Sequence, residues 1–312
     1  MRVIVVGLGI QGKKRLAIAG SDVVAKVDTA NDLAQYRFVE QVPPESYDAA
    51  LVCTPDAAKL ELLEYLLSRA KHVLVEKPLF ARDPQALLRL ARQAQETGVV
   101  CYTAYNHRFE PHFVRMQHTL GSGVLGKIYL CRMFYGNGTA REVRNSPWRD
   151  EGAGVLPDLG SHLLDTIVFW FGADVLARAK LRVWSADRFE NRAFDHVAFG
   201  AQGHPALEME TTLLSWRNHF TCDVYGECGS AHIESLCKWG PSVFTYRTRV
   251  LPSGRPPEER VTLVQPDPTW ALEYAYFKEI CATGSYSNIA TDILINDCLA
   301  RLANEALAGV SA

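Results

Sequence analysis

The 312-residue sequence has no excess of charge of one sign, since 33 lysines and arginines stand against 35 acidic residues and leave a formal net charge of −2. This balance gives no reason to expect a nucleic-acid or anionic-membrane partner. No apolar run reaches the length of a membrane-spanning helix. Gly7, Gly9 and the basic residues Lys13, Lys14 and Arg15 interrupt the apolar segment that a secretory signal would need. We therefore expect a soluble, cytoplasmic protein.

None of the eight cysteines belongs to a CxxC pair. Several of them lie inside apolar, strand-like runs such as ALVCTP and VVCYTAY. This usage predicts reduced, mostly buried thiols of a cytosolic protein. A zinc site is the alternative, but the cysteine spacings are irregular, and we predict no metal.

The sequence also lacks internal repeats and low-complexity tracts, and its length favours two domains over one. In the N-terminal third, helical stretches alternate with short apolar runs rich in β-branched residues. These runs occupy residues 3–7, 23–28, 49–53, 72–76 and 99–105. Strands that alternate with helices predict βαβ units and a parallel sheet.

The pattern changes after a long loop over residues 141–154 and a strongly apolar helix that begins near Pro157. Successive strand-like runs follow: LARAKLRVW, DHVAFGAQG, ALEMETTLLSW, FTCDVYGE, SVFTYRTRV and ERVTLVQ. Short connectors between them are typical of an antiparallel sheet, and two helical stretches close the chain. We predict an α/β domain with a parallel sheet over residues 1–122. Residues 123–312 should form an α+β domain with an open, mostly antiparallel sheet flanked by helices.

Three glycines, Gly7, Gly9 and Gly12, form a GxGxxG pattern directly after the first predicted strand. In a dinucleotide-binding βαβ unit they allow a tight turn, close approach of the pyrophosphate and close packing of helix on strand. Free N–H groups at the start of the following helix, at Ile10 and Gln11, would face the anion. The alternative is a glycine-rich turn without a ligand.

Polar residues follow the second and third predicted strands. Asp28 ends the second strand, where a carboxylate would accept hydrogen bonds from both ribose hydroxyls and repel a 2′-phosphate, which favours NAD over NADP. Asp28 could instead be a helix N-cap or a solvated turn acid. Thr54 and Pro55 follow the third strand and would line the cofactor crevice, because ligands bind at the carboxyl ends of parallel strands.

The fourth predicted strand ends in two opposite charges, Glu76 and Lys77, directly before Pro78. The same rule places both side chains over the cofactor crevice. A lysine ammonium there can donate a hydrogen bond to a substrate hydroxyl and stabilise the alkoxide as the proton leaves. The alternative is a surface lysine beside a proline turn.

A polar stripe runs along the helix that follows Pro157. Asp158, His162 and Asp165 are spaced i, i+4, i+7 among apolar residues, so one helix face would carry all three. Buried Asp and His side chains need partners, which are each other or a ligand. Aspartate and histidine also form a competent proton relay. A metal site is the alternative, without a convincing third ligand.

These motifs together resemble the Gfo/Idh/MocA family of NAD(P)-dependent sugar and inositol dehydrogenases. The matching segments are GLGIQG, the tripeptide EKP at residues 76–78, YNHRFEP from Tyr105, WRDEGAG from Trp148 and DLGSHLLD from Asp158. The segment that follows Asp28 is shorter than the helix and strand that family members carry there, so we expect a more open adenine side.

The resemblance implies a Rossmann domain followed by an open-sheet domain that often builds dimers or tetramers. It implies that Lys77, Asp158 and His162 are catalytic, with His162 as the general base. The resemblance also assigns several other residues to the two ligands. The cofactor would contact Asn106 in addition to the residues named above, and the substrate would contact Asp158 and His162 together with Tyr105, Arg108, Trp148 and Arg149.

The expected protein is an NAD-dependent dehydrogenase that oxidises a secondary hydroxyl of a sugar, cyclitol or sugar-nucleotide, or catalyses the reverse reduction. Arg108, Arg144 and Arg149 could hold an anionic group of the substrate. Two alternatives are a redox-neutral glycosidase that retains NAD and a non-catalytic protein that binds a dinucleotide or sugar. The expected partners are a sugar-like small molecule and further copies of the chain, as a homodimer or homotetramer.

Overall fold

The computed structural model describes residues 1–81, 83–146, 149–284 and 287–309. The predicted substrate residue Trp148 lies outside the described residues. The chain forms two compact units. Unit 1 comprises Met1–Asn106 and Pro268–Asn296, and unit 2 comprises His107–Asp267 and Asp297–Ala312.

The N-terminal part of unit 1 alternates strands and helices. In chain order they are β1 (Val3–Val6), α1 (Ile10–Ala19), β2 (Val23–Val27), β3 (Ala49–Val52), α2 (Asp56–Ser68), β4 (His72–Glu76), α3 (Pro84–Thr97) and β5 (Cys101–Ala104). The strands form one parallel sheet in the order β2-β1-β3-β4-β5. β1, β3 and β5 are buried throughout, as a sheet covered on both faces requires. The predicted parallel α/β domain is confirmed.

The strand order reverses direction between β1 and β3, and such a switch point is where open α/β sheets bind ligands. Between β2 and β3 the chain forms two short 3-10 turns, Val39–Gln41 and Pro44–Ser46, and adds no α-helix or further sheet strand over residues 28–48. The connection between β2 and β3 therefore contains no crossover α-helix.

The remaining elements begin with those of unit 2. In chain order they are α4 (Pro111–Gly121), β6 (Ile128–Gly136), α5 (Ala140–Arg144), a π-helical turn (Leu156–Gly160), α6 (Ser161–Phe171), α7 (Ala173–Arg178), β7 (Arg182–Asp187), β8 (His196–Ala201), β9 (Ala206–Thr212), β10 (His219–Gly226), β11 (Gly229–Glu234), β12 (Ser242–Thr248) and β13 (Glu258–Leu263), then α8 (Thr269–Thr283) and α9 (Ile289–Gly309). The sequence motifs thus fall on named elements: DLGSHLLD spans the π-helical turn and the start of α6.

Eight strands of unit 2 form one sheet in the order β13-β12-β11-β10-β6-β9-β8-β7. Only the β6–β9 pair is parallel, and the other pairs are antiparallel. The predicted open, mostly antiparallel sheet is confirmed. Strands β6 and β11 were not predicted, although the composition of IYLCRMFYG is typical of a strand and would have indicated β6.

The boundary between the units differs from the predicted one near residue 122. Helix α4 belongs to unit 2, because Phe113 is fully buried there, its ring lies 5.0 Å from that of Trp170, and Trp170 Nε1 donates to its carbonyl at 3.0 Å. Helix α8 returns to unit 1, where Tyr274 and Phe277 join the core around Leu74. The predicted boundary placed α4 with the parallel sheet and α8 with the antiparallel sheet. The faces that these helices bury place α4 in unit 2 and α8 in unit 1.

The free edge of the parallel sheet is covered by side chains from the segment before and within α9. Asn288 Oδ1 accepts from the Thr103 N–H at 2.7 Å, and its amide donates to the Thr103 carbonyl at 2.9 Å. Ser287 accepts from the Cys101 N–H at 2.9 Å. These bonds replace a neighbouring strand, which satisfies the backbone of β5 and blocks edge-to-edge pairing.

All eight cysteines are free, and only Cys228 is exposed. The predicted mostly buried thiols are therefore confirmed. Within the described parts of the chain, no helix combines the length and hydropathy needed to cross a membrane.

Two histidines, the half-buried His72 and the buried His112, predict how stability depends on pH. The Val100 N–H donates to Nδ1 of His72 at 3.0 Å, and His112 lies 3.2 Å from the Ser242 carbonyl. Burial lowers the pKa of both imidazoles below the ordinary value of 6.5. The folded state therefore resists a proton that the unfolded state accepts, so this stability is present above pH 6.5 and is lost as the pH falls through the lowered pKa values.

Urea unfolding between pH 8 and pH 5 measures this loss. We expect the double variant His72→Asn, His112→Gln to depend less on pH than the wild type, because each amide keeps one imidazole hydrogen-bonding position and cannot titrate. The exposed His204 provides the control, His204→Asn, which should leave the profile unchanged. Equal slopes for the wild type and the double variant would contradict the assignment.

Candidate active site

The glycine loop of unit 1 has the geometry of a phosphate-binding turn. Gly7 has a φ of 89°, and a Cβ on it would lie 2.7 Å from the Cys53 carbonyl oxygen. A Cβ on Gly12 would overlap the carbonyl of Gly7. A Cβ on Gly9 would meet no atom within 4 Å. Gly7 and Gly12 are thus required by packing, whereas Gly9 leaves open space that a ligand backbone can approach, as a dinucleotide cradle requires.

The start of α1 presents free backbone donors beside this space. Gly9 is the N-cap, its position supplies no capping side chain, and the first turn contains no acidic residue. Ile10 and Gln11 are exposed, and Ile10 keeps 79% of its surface accessible. An exposed apolar side chain and uncapped N–H groups at a helix start fit the pyrophosphate of a dinucleotide.

Asp28 is tied to the glycine loop. Its Oδ2 accepts from the Leu8 N–H at 2.6 Å, and its Oδ1 accepts from the N–H groups of Ala30 and Asn31 at 2.9 Å each. Burial acts to raise the pKa of Asp28, but these backbone donors and the charge of Arg37 outweigh it and lower the pKa below its ordinary value. The carboxylate is therefore ionised, and its position at the end of β2 is the one predicted for a ribose ligand.

The ends of β3 and β5 carry the next predicted cofactor residues. The Thr54 hydroxyl is buried and makes no hydrogen bond within the described ranges, so a ligand can supply its partner. Pro55 is exposed and precedes α2. Asn106 is buried and donates from Nδ2 to Thr269 Oγ1 at 2.8 Å. Tyr105, a predicted substrate residue, is only 1% exposed and belongs to the interior of unit 1.

The carboxylate of Glu76 contacts a buried arginine. Arg15 donates from Nε to Glu76 Oε1 at 2.8 Å and from Nη2 to Glu273 Oε2 at 2.6 Å. The side chain of Arg15 is 1% exposed, and its guanidinium lies 4.3 Å from the centre of the Trp270 ring. Burial acts against the guanidinium charge, but the charges of Glu273 and Glu76 outweigh it and raise the pKa of Arg15 above its ordinary value.

A second buried cation holds the other side of Lys77. Lys59 of α2 has a 3% exposed side chain, and its Nζ donates to the Pro78 carbonyl at 2.9 Å and lies 2.7 Å from Asp56 Oδ1. Lys77 itself is partly exposed at the end of β4. Its two neighbours in sequence are therefore both fixed by buried charges. A solvated surface lysine beside a turn would not need this arrangement.

In unit 2, the predicted polar stripe is not a regular helix face. Asp158 lies in the π-helical turn, whereas His162 and Asp165 lie on α6. Asp165 is fully buried and accepts from Arg108 at 2.6, 2.9 and 3.1 Å. Burial raises the pKa of Asp165, and the Arg108 charge acts against that rise. Arg108 was predicted to contact the substrate, and the structure shows it in this bidentate ion pair.

Asp158 remains partly exposed, and its Oδ2 lies 3.6 Å from Arg149 Nη2. Arg149 and Asp158, both predicted to contact the substrate, thus lie close together. Arg144 is exposed at the end of α5.

Within the described residues, no group of three or more His, Cys, Asp or Glu side chains is placed to hold a metal ion.

His162 lies in an aromatic and basic cluster that the sequence motifs did not predict. Its ring stacks on His107 with centroids 4.1 Å apart and planes at 20°, and Tyr135 meets it edge-on at 5.8 Å. Lys238 Nζ lies 3.3 Å from His107 Nε2. Burial raises the pKa of Tyr135, and the charge of Asp158 adds to that rise. His107 stands inside the YNHRF segment and could have been singled out, but no local pattern points to Tyr135 or Lys238.

Two family models match the chain. Residues 1–105 match the model described as "Oxidoreductase family, NAD-binding Rossmann fold", and residues 113–232 match "GFO/IDH/MocA C-terminal domain". An uncharacterized oxidoreductase of Synechocystis sp. is 32% identical over 173 residues, which are 52% of this chain and 45% of that protein. A scyllo-inositol 2-dehydrogenase (NADP(+)) of Bacillus subtilis is 30% identical over 128 residues, 40% of this chain and 35% of that protein. The chain thus spans about half the length, or less, of these curated relatives.

Solved structures share the fold. Levoglucosan dehydrogenase in complex with NADH matches with a TM-score of 0.83 and 18% identity over 98% of this chain and 97% of that chain. A putative NADPH-dependent oxidoreductase of Desulfitobacterium hafniense matches with a TM-score of 0.83 and 14% identity over 98% and 95%. The residues matched by the two family models include the glycine loop, Lys77, Asp158 and His162. The chain belongs to the Gfo/Idh/MocA oxidoreductase family, and its N-terminal domain is an NAD-binding Rossmann domain.

Proposed function

We propose that the protein is an NAD-dependent dehydrogenase that oxidises a secondary hydroxyl of a sugar, cyclitol or sugar-nucleotide, or catalyses the reverse reduction. The observation that carries this proposal is the fixed position of Lys77. Buried Arg15 holds Glu76 before it, and buried Lys59 holds Pro78 after it. The names of the relatives, an inositol dehydrogenase and a levoglucosan dehydrogenase, support the substrate class.

The cofactor would be held by the glycine loop and the strand ends of unit 1, through Gly9, Gln11, Asp28, Thr54 and Asn106. When bound, NAD supplies the acceptor for the hydride. The ionised Asp28 favours NAD over NADP, because a 2′-phosphate beside it would place like charges together. Arg37 beside Asp28 weakens this preference and does not abolish it, because its guanidinium contacts backbone carbonyls.

Three side chains would handle the hydroxyl proton. We assign His162 as the base that accepts it, since imidazole titrates near neutral pH. Asp158 would orient the substrate and favour the imidazolium that forms. The ammonium of Lys77 would donate a hydrogen bond to the hydroxyl oxygen and stabilise the developing alkoxide. We further propose a role for Arg149 in substrate binding, through its contact with Asp158.

The dehydrogenase is tested by following NADH formation with a panel of sugars, inositols, sugar acids and nucleotide sugars. We expect turnover with one class, and a loss of about 10²–10⁴-fold in kcat for Lys77→Met, because the alkoxide then lacks its donor. The exposed Lys180 provides the matched control, Lys180→Met, which should retain activity. Tight NAD binding without NADH from any candidate would contradict the proposal and point to a redox-neutral glycosidase or a binding protein.

Cofactor preference is tested at Asp28. We expect the wild type to bind NADH more tightly than NADPH, and Asp28→Asn to reduce that ratio by about tenfold, since one like charge near the 2′-phosphate is removed. The asparagine oxygen can still accept the Leu8 N–H, so the glycine loop is preserved. Isothermal titration of both nucleotides gives the ratio. An unchanged ratio would show that Asp28 does not face the ribose.

Because Arg15 holds the strand end that precedes Lys77, we expect its substitution to reduce the stability of the protein strongly. Arg15→Met leaves two buried carboxylates without their cation and should reduce the free energy of unfolding by about 3–5 kcal/mol in urea titrations. Arg2→Met, which breaks an exposed ion pair with Asp48, should have a much smaller effect. Similar losses in both variants would contradict the structural role of Arg15.

A further inference from the structure

We propose that the guanidinium plane of Arg37 is the surface on which the adenine ring of the dinucleotide stacks. This inference rests on the proposed NAD site and deepens it, because it names the group that holds the base. The connection between β2 and β3 contains no α-helix that would cover the adenine side. Arg37 belongs to none of the motifs that indicated the cofactor site, and it lies nine residues after Asp28.

The backbone brings Arg37 back to the end of β2. After the turn at Asp28 the chain loops back, and Tyr36 forms a parallel bridge with Val27. The Tyr36 carbonyl accepts from the Asp28 N–H at 3.1 Å, and the Tyr36 N–H donates to the Lys26 carbonyl at 3.2 Å. Arg37 therefore follows directly beyond the carboxyl end of β2, on the edge that faces away from β1. Ligands of open parallel sheets bind beyond these strand ends.

Hydrogen bonds fix the guanidinium at this place. Nη1 of Arg37 donates to the Asn31 carbonyl at 3.1 Å and to the Asp28 carbonyl at 3.5 Å. The backbone N–H of Arg37 donates to Gln41 Oε1 at 2.9 Å. A guanidinium donates within its own plane, so these bonds do not use its two faces. A side chain that is already ordered also loses less entropy when a ligand binds.

The same short loop holds the carboxylate that we assign to the ribose. Asp28 Oδ1 accepts from the Asn31 N–H at 2.9 Å, and Asn31 Nδ2 donates to the Leu8 carbonyl at 3.1 Å. The carboxylate, the loop backbone and the guanidinium of Arg37 thus form one hydrogen-bonded unit. In a dinucleotide the adenine is bonded directly to the ribose. A ribose bound at Asp28 therefore brings the base to groups that lie beside Asp28.

Arg37 has accessible surface for a base. Its side chain is 48% exposed, and its ion pair with the fully exposed Asp32, at 3.9 Å, is too weak to compete. Planar guanidinium groups stack on aromatic rings, nucleobases among them. The loop also exposes the apolar residues Leu33 and Phe38, but their side chains have no hydrogen bond that would fix them beside Asp28.

A phosphate on the 2′ position of the ribose is the alternative ligand for this cation. Two observations favour the base. Nη1 of Arg37 already donates to two carbonyls, and the ionised Asp28 beside it would repel a phosphate. The two roles also differ in what they require of the side chain. Stacking requires the guanidinium plane, whereas phosphate binding requires only the positive charge.

Isothermal titration of NADH and NADPH into variants of Arg37 separates these roles. We expect Arg37→Ala to weaken NADH binding by about tenfold, because the base loses its stacking partner. Arg37→Lys should lose about as much, because an ammonium keeps the charge and offers no planar face. Arg37 is half-exposed, so both substitutions are compatible with the fold. Phe38→Ala is the matched control on an exposed neighbour and should keep the wild-type affinity.

Three results of these titrations would overturn the inference. The first is an NADH affinity that is unchanged in Arg37→Ala or restored in Arg37→Lys. The second is a loss confined to NADPH, which would assign Arg37 to the 2′-phosphate instead. The third is an equal loss in Phe38→Ala, which would show a general effect of the loop.

An NAD analogue with a fluorescent ethenoadenine base gives a readout that a merely structural role would not move. At saturating concentration every protein molecule carries the analogue, so differences in affinity no longer contribute. We expect acrylamide to quench the bound base more strongly in Arg37→Ala and Arg37→Lys than in the wild type, because an unstacked base is open to solvent. Equal quenching in all three proteins would show that the base does not stack on Arg37.

Failure of this inference and failure of the proposed function are distinguishable. The titrations need no substrate, so the absence of NADH formation with every candidate would contradict the dehydrogenase and leave the result on Arg37 intact. If turnover persists while NADH affinity and quenching are unchanged in Arg37→Ala, the role of Arg37 fails alone. If the wild type binds neither nucleotide, the assigned cofactor site is wrong, and the inference falls with it.

Discussion

The buried ion contacts of Arg15 are the constraint on which unit 1 depends. Arg15 comes from α1, Glu76 ends β4, and Glu273 belongs to α8, so one guanidinium joins the glycine-loop helix, a central strand and a helix from the far end of the chain. Two carboxylates cannot be buried together without such a cation. The contact therefore ties the segment that would bind a pyrophosphate to the strand end that presents Lys77.

Two further buried charges have a partner of opposite charge, as Arg15 does. Lys59 is buried but donates to a carbonyl and faces Asp56, and Asp165 is buried but faces Arg108. Each of these pairs lies next to a residue to which we assign chemistry. Burial makes an unpaired charge expensive, so a paired one fixes its neighbours strongly. The residues to which we assign chemistry, Lys77 and Asp158, have partly exposed side chains.

The histidine cluster of unit 2 brings together rings from distant parts of the chain. His162 stacks on His107, and Lys238 Nζ lies 3.3 Å from His107 Nε2. Asp158 lies in the π-helical turn that precedes α6. That turn matters because it places Asp158 outside the regular spacing of α6, and such irregular turns are frequent at functional sites.

The sequence by itself determined the parallel sheet, the glycine loop and the positions of Lys77 and His162, because these follow from local patterns: β-branched runs, a GxGxxG turn and a strand that ends in EKP. Only the tertiary structure decided which groups meet across long distances in the chain. It paired Arg108 with Asp165, gave α4 to unit 2 and α8 to unit 1, and brought Lys238 to His107. Local spacing cannot predict these contacts, since each depends on which faces are buried after the sheets have formed.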